Sequence, residues 1–198
     1  MSLYALKPRF QALLRPLVGA LHRAGVTANQ VTVAACVVSV ALGAWLAWNA
    51  QAVAAFVLVP VWLAIRMALN AIDGMLAREF GQASRLGAYL NELGDVIADS
   101  ALYLPFALLA GSSPWLVWTI IALAIVSELA GVLGLGFGGG RRYDGPMGKS
   151  DRAFVFGAVG LLAGLGAPMA HALDWVWGAV IALLIVTIVN RVRRGCAT

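Results

Sequence analysis

Charge is what this sequence has least of. Only 12% of its 198 residues are Asp, Glu, Lys or Arg, against 62% hydrophobic, where a soluble domain carries about 25% charged residues. So little charge cannot clothe so much apolar side chain in water, which excludes an ordinary soluble fold and leaves lipid as the solvent. Cysteine is nearly absent. Cys36 and Cys196 are far apart and have no metal-ligand spacing, so neither a disulfide framework nor a thiolate metal site is expected. The two histidines, His22 and His171, are expected on opposite sides of the membrane and make no site. Residues 1–25 lack a compact apolar core followed by a cleavage site. They intersperse Lys7, Arg9, Arg15 and Arg23 with apolar residues, the pattern of an amphipathic helix lying in the headgroup region.

What is present is a series of long uncharged runs. No Asp, Glu, Lys or Arg occurs from Ala24 to Ile65, and the run is divided by the polar hinge Asn49-Ala50-Gln51. A second run, Ser100 to Ser127, is broken by the turn-forming Gly111-Ser112-Ser113-Pro114. A span needs about 20 apolar residues, so the chain is expected to be all-α, with six transmembrane helices. They are placed near residues 30–48, 52–78, 85–110, 115–136, 152–165 and from about 172 to 190. The expected division is a cytoplasmic amphipathic helix at 1–25, a six-span domain at 26–191 and a cytoplasmic tail at 192–198.

Orientation follows from the loops. Every Lys and Arg except Arg66 falls on one side of this arrangement, and the connections on the other side have none. The positive-inside rule places the basic side, and both termini, in the cytoplasm of a bacterial-type inner membrane. All the tryptophans except Trp62 lie at the opposite ends of their spans, as an outer aromatic belt. The net charge of +5 then reads as a collar for anionic lipid headgroups or phosphorylated substrates, not as a nucleic-acid surface.

The acidic residues concentrate where the second span ends and the third begins. At a helical repeat, Asn70, Asp73 and Ala77 share one face, and Asn91, Asp95 and Asp99 share another. The short connection makes the two helices antiparallel neighbours, so these faces can meet near the cytoplasmic interface and offer hard oxygen donors to Mg²⁺.

The stretch from Asn70 to Asp95 resembles the signature of the CDP-alcohol phosphotransferase family, D-x2-D-G-x2-A-R-x8-G-x3-D-x3-D. Asp73, Gly74, Ala77, Arg78, Gly87 and Asp95 match in register, and Gly25 to Thr32 looks like the family's entry into its first span. Asn70 and Asn91 stand where the family has aspartate. The resemblance implies attack by a small alcohol on a CDP-alcohol, usually CDP-diacylglycerol, with release of CMP. It also implies Mg²⁺ or Mn²⁺ held by Asn70, Asp73, Asn91 and Asp95, and Asp95 as the base for the acceptor hydroxyl. Asp99 is a substitute ligand for the two lost charges. CDP would be bound by Asp73, Gly74, Ala77, Arg78 and Gly87, and relatives form homodimers. With two carboxylates replaced, weaker metal binding is expected, and one ion or two stays open.

Arg141, Arg142, Lys149 and Arg152, in and beside the longest cytoplasmic loop, are candidates for the acceptor's or the lipid's phosphate, against simple positive-inside anchoring. Arg66, inside the second span, is expected to pair with Glu128 or Asp99. Gly148-Lys149-Ser150 lacks the first glycine of a P-loop, and Gly134, Gly136 and Gly139 follow a hydrophobic span rather than a strand, so nucleotide loops of those kinds are excluded. Gly160 and Gly164 read as a helix-packing pair. Two other readings stay open: a catalytically silent relative that binds CDP-lipid or scaffolds lipid enzymes, and a small transporter.

Overall fold

The computed structural model describes residues 6–136 and 140–197, with side chains from Phe10 onward. Lys7 and Arg9 of the basic segment, and Gly139 of the glycine triplet, therefore lie outside the described side chains. The described residues are helical and contain no strand. Helix α1 (Leu6–Arg23) precedes α2 (Ala28–Trp48), α3 (Leu58–Glu79), α4 (Arg85–Tyr103), α5 (Pro114–Gly136), α6 (Lys149–Gly164) and α7 (Leu173–Cys196). Short 3₁₀ turns at Val53–Val57 and Leu104–Leu108 extend α3 backwards and α4 forwards. Pro105 lies in the second turn and has no N–H for a continuing α-helix.

Four segments, Ala28–Trp48, Val53–Glu79, Pro114–Gly136 and Leu173–Cys196, are long and apolar enough to cross a membrane. The other two members of the expected set differ from these in composition and length. α4 carries Arg85, Glu92, Asp95 and Asp99, and α6 has only 16 residues. Helix α7 also continues beyond the expected end of the last span, so most of residues 192–198 is its final turn.

The surface is inverted relative to a soluble protein. Trp48, Trp175, Phe154, Leu165 and Val37 are exposed, whereas Arg66, Asp73, Asp99, Glu128, Arg152 and Arg191 are buried. An apolar exterior and a polar interior belong together in lipid, where ionisable groups turn inward and pair. This is a membrane protein.

Helix α2 packs on α3 and α4, α5 on α7, and α3 on α6. Glycines set the closest approaches. A Cβ at Gly43 would lie 2.1 Å from the Ala101 carbonyl oxygen, so α2 and α4 touch backbone to backbone there. Gly160 and Gly164 let α6 sit against Phe56 and Val57, which is the helix-packing role expected of them. The core at this end of the bundle is aromatic. Tyr103 stacks on Phe156 with centroids 3.8 Å apart, Phe156 stacks on Trp177 at 4.9 Å, and Phe106 meets both Phe156 and Trp177 edge-on. Asp174 accepts hydrogen bonds from the Ser113 N–H (2.7 Å) and hydroxyl (2.5 Å), tying the start of α7 to that of α5.

At the other end, α1 lies against the end of α3. Val18 is buried with Ile72, Met75 and Leu76, while Arg15 reaches Glu79 at 2.9 Å on the polar side. Leu13 and Leu17 of α1 remain exposed, the disposition of a helix whose apolar edge faces the acyl boundary. Because α3 ends where α4 begins, and α6 starts where α5 and α7 end, the charged ends of all these helices gather on this side.

Candidate active site

Helix α4 is opened by Ser84, whose hydroxyl accepts the Gly87 N–H at 2.9 Å, and α2 by a Thr27–Gln30 capping box. These caps fix the two helix starts that flank the end of α3. Thr32 on α2 donates to Asp73 Oδ2 at 2.7 Å and so orients that buried carboxylate. Asn29, Thr32, Asn70, Asp73, Gly74, Ala77, Arg78, Ser84, Gly87 and Asn91 line a cleft. Every residue expected to bind CDP is on its wall. The Arg78 guanidinium folds over Gly74, where a Cβ would meet Nη2 at 2.9 Å. A Cβ on Gly87 would meet Asn29 Oδ1 at 2.8 Å. Both glycines keep the cleft open.

A second cavity shares Asn70 and Asn91 with the first. Its other walls are Asp95, Glu128, Arg141, Tyr143, Gly148, Lys149, Ser150, Asp151 and Arg191. Asp95 faces Lys149 Nζ through Oδ2, and its Oδ1 is 3.4 Å from both Arg66 Nη2 and Asn70 Nδ2. Lys149 opens the first turn of α6, whose start is fastened by the Gly148 N–H donating to Asp151 at 2.9 Å. Asp99 binds Arg66 at 2.6 Å and lies 3.8 Å from Arg152. Asp95 and Asp99 thus present oxygens to nitrogen donors of the chain.

Of the two partners expected for Arg66, the structure selects Asp99, with Asp95 as second contact. Glu128 instead collects arginines: Arg152 at 2.9 Å, Arg141 at 3.0 Å and Arg191 at 3.5 Å. Arg141 also pairs with Glu92. Three arginines thus converge on one buried carboxylate, with Glu92 and Asp99 as further partners of Arg141 and Arg152. The Nε atoms of Arg141, Arg152 and Arg191 are buried with no hydrogen-bond partner among the described residues. Burial also pushes the Arg141 guanidinium below its ordinary pKa. This arrangement suits an anion.

Arg142 diverges from the other expected phosphate residues. It donates to Asp144 at 2.9 Å, Asp144 accepts from Arg194 at 2.6 Å, and the group fastens the loop to the end of α7. Gly145, with φ +127°, lets this loop press on Thr187, where a Cβ would come within 2.6 Å. Arg191 is not among the residues expected at the site, reading in the sequence only as one of the basic residues on one side of the membrane; Glu128 and Thr32 are not among them either. No local spacing links Arg191 to residues 127–149.

Fold and site together define a polytopic helical membrane protein with a cleft holding Asp73 and Arg78 on one side of a shared wall of Asn70 and Asn91, and on the other a cavity where Arg141, Lys149 and Arg191 face Asp95, Glu128 and Asp151. A model of the CDP-alcohol phosphatidyltransferase family matches residues 25–189, and the chain belongs to that family. It is 47% identical over 193 residues to the inner membrane protein YnbA of Escherichia coli (strain K12), covering 98% of this chain and 96% of the relative. It is 28% identical to a phosphatidylinositol phosphate synthase of Corynebacterium glutamicum, covering 96% of this chain and 87% of that one. The crystal structure of Mycobacterium tuberculosis phosphatidylinositol phosphate synthase (PgsA1) with CDP-DAG bound has the same fold. Its TM-score is 0.74 at 20% identity, over 91% of this chain and 92% of that one.

Proposed function

We propose that this protein transfers a substituted phosphate group from CDP-diacylglycerol to a small alcohol, releasing CMP, as a step of phospholipid synthesis. The observation that carries the reading is the pair of cavities sharing Asn70 and Asn91, one lined by the family signature and the other bringing Arg141, Lys149 and Arg191 together beside Asp95. The first takes the CDP moiety, with Gly74 and Gly87 admitting it close to the helix backbones. The second takes the acceptor. Arg141, Lys149 and Arg191 hold a phosphate on that acceptor, and Arg152 keeps Glu128 in place among them. The relative crystallised with CDP-DAG supports the donor.

The acceptor oxygen attacks the phosphorus nearest the diacylglycerol. A new P–O bond forms, the bond to the bridging diphosphate oxygen breaks, and CMP leaves with the electron pair. Asp95 takes the hydroxyl proton, which requires Lys149 to turn from Asp95 towards phosphate and uncover Oδ2. Arg66 stays behind Asp95, held by Asp99.

Divalent-metal dependence is general in the family. Asp73, Asn70 and Asn91 offer hard oxygens along the CDP cleft and fit one Mg²⁺ or Mn²⁺; bound there, the ion would neutralise diphosphate charge. A second ion does not fit the donor set, because Asp95 and Asp99 are already neutralised by Lys149 and Arg66.

Six membrane-crossing segments, with α4 and α6 completing the four apolar ones, belong to the same proposal. So do cytoplasmic termini, a cytoplasmic active site and a homodimer. The charged helix ends gathered on the α1 side and the tryptophans at the opposite end support the orientation. A second reading, a CDP-lipid binder without turnover, is favoured by Asn70 and Asn91 alone. The deciding experiment is CMP release by the protein in nanodiscs with CDP-diacylglycerol, Mg²⁺ and paired acceptors that differ only in a phosphate group. Turnover restricted to phosphorylated acceptors supports the proposal. CDP-diacylglycerol binding without CMP release from any acceptor supports the binder.

A further inference from the structure

We propose that positive charge reaches the substrate phosphates from two unlike sources in this site: one removable divalent ion beside Asp73, and a built-in ammonium, Lys149, beside Asp95. The inference rests on the phosphotransfer reading and deepens it. Lys149 fills, with a covalently attached cation, the position where a second metal ion would otherwise be needed.

Asn70 Nδ2 is 3.4 Å from Asp95 Oδ1. An aspartate there would set two carboxylates against each other, tolerable only with a cation or a proton between them. An amide removes that requirement, since it can donate to Asp95 directly. Asn91, on the wall shared by both cavities, is likewise neutral. The Asp95 side of the site has therefore lost the negative charge that would recruit a metal ion.

It has gained nitrogen donors instead. Asp95 faces Lys149 and Arg66 as well as Asn70. The two cations differ in access. The Arg66 side chain is 5% exposed and committed to Asp99, whereas that of Lys149 is 31% exposed on the cavity wall. Only Lys149 can turn to an incoming phosphate. Asp73 is different again: its hydrogen-bond partner is the neutral Thr32 hydroxyl, so its negative charge stays available to a hard cation.

The test is Mn²⁺ stoichiometry by electron paramagnetic resonance titration, on purified protein in nanodiscs without substrate. The expected result is one Mn²⁺ per chain, weakened at least roughly tenfold by Asp73→Asn and unchanged by Asp95→Asn. The combined variant Asn70→Asp, Asn91→Asp, Lys149→Gln should bind a second ion. Two ions per wild-type chain, none, or one that follows Asp95 rather than Asp73 would overturn the proposal. CMP release is scored separately. Its absence in a protein that binds one Mn²⁺ refutes the transferase reading and leaves the division of charge standing.

Discussion

Arg66 Nη1 lies 2.6 Å from Asp99 Oδ1, and the two side chains are 5% and 8% exposed. This pair, between α3 and α4, forms the floor beneath Asp95. Removing one partner leaves the other buried charge with only its longer contact, Arg66 to Asp95 or Asp99 to Arg152, which costs up to about 3–5 kcal/mol. Arg66→Met and Asp99→Leu are each expected to destabilise the protein by that much, and the double variant by less than the sum. Thermal unfolding in detergent, arranged as a double-mutant cycle, measures the coupling; additive losses would contradict it.

The contact of α2 with α4 at Gly43 allows no side chain. A Cβ 2.1 Å from the Ala101 carbonyl oxygen cannot be relieved by a rotamer change, so Gly43→Ala should cost about 1–3 kcal/mol. Lowered thermal stability is the expected readout. Gly178→Ala, where the added Cβ meets nothing within 4 Å, serves as the control.

Asp144 gives an acid dependence whose sign is fixed. Partial burial works to raise its pKa, but hydrogen bonds and charge from Arg194 and Arg142 together outweigh it and hold the carboxyl below its usual range. A depressed folded pKa stabilises above the unfolded value of about 3.9, and the contribution is lost as pH falls through the folded value. The loop should therefore stay docked at neutral pH and loosen below about pH 4. Limited proteolysis across that range should show the acid-induced step in the wild type. In Asp144→Asn the loop should already be loosened at neutral pH.

Lys149→Gln is expected to raise the KM for a phosphorylated acceptor by roughly 10- to 100-fold, the worth of one charge-assisted hydrogen bond. CDP-diacylglycerol affinity should change far less, because Lys149 lines the second cavity and not the first, where CDP is proposed to bind. Steady-state kinetics with each substrate varied in turn separates the two effects.

Much of this was legible in the sequence because it is local. Uncharged runs and hinge residues mark the helices, and the repeat of Asn70 with Asp73 and of Asn91 with Asp95 puts each pair on one helix face. The family match rests on that same short stretch. What could not be read is non-local. Whether Arg66 takes Asp99 or Glu128 depends on how α3 and α4 rotate against α5, which no helical period encodes. Arg191 reaches Ser127 and Glu128 across more than sixty residues of chain, and in the sequence it is one more basic residue at a cytoplasmic helix end. Arg142, beside Arg141, turns to Asp144 because Gly145 fixes the loop on Thr187. The membrane signal is uneven for a related reason: α4 carries Arg85, Glu92, Asp95 and Asp99, and α6 has only 16 residues, so neither is as long and apolar as the other four segments.

The central claim is tested most directly by CMP formation from CDP-diacylglycerol, comparing wild type with Asp95→Asn in nanodiscs with Mg²⁺ and a mixture of phosphorylated small alcohols. The account predicts CMP and a new phospholipid from the wild type, and loss of both in a variant that still folds and binds CDP-diacylglycerol. Equal CMP release by the variant, or none from the wild type with any acceptor, would contradict it.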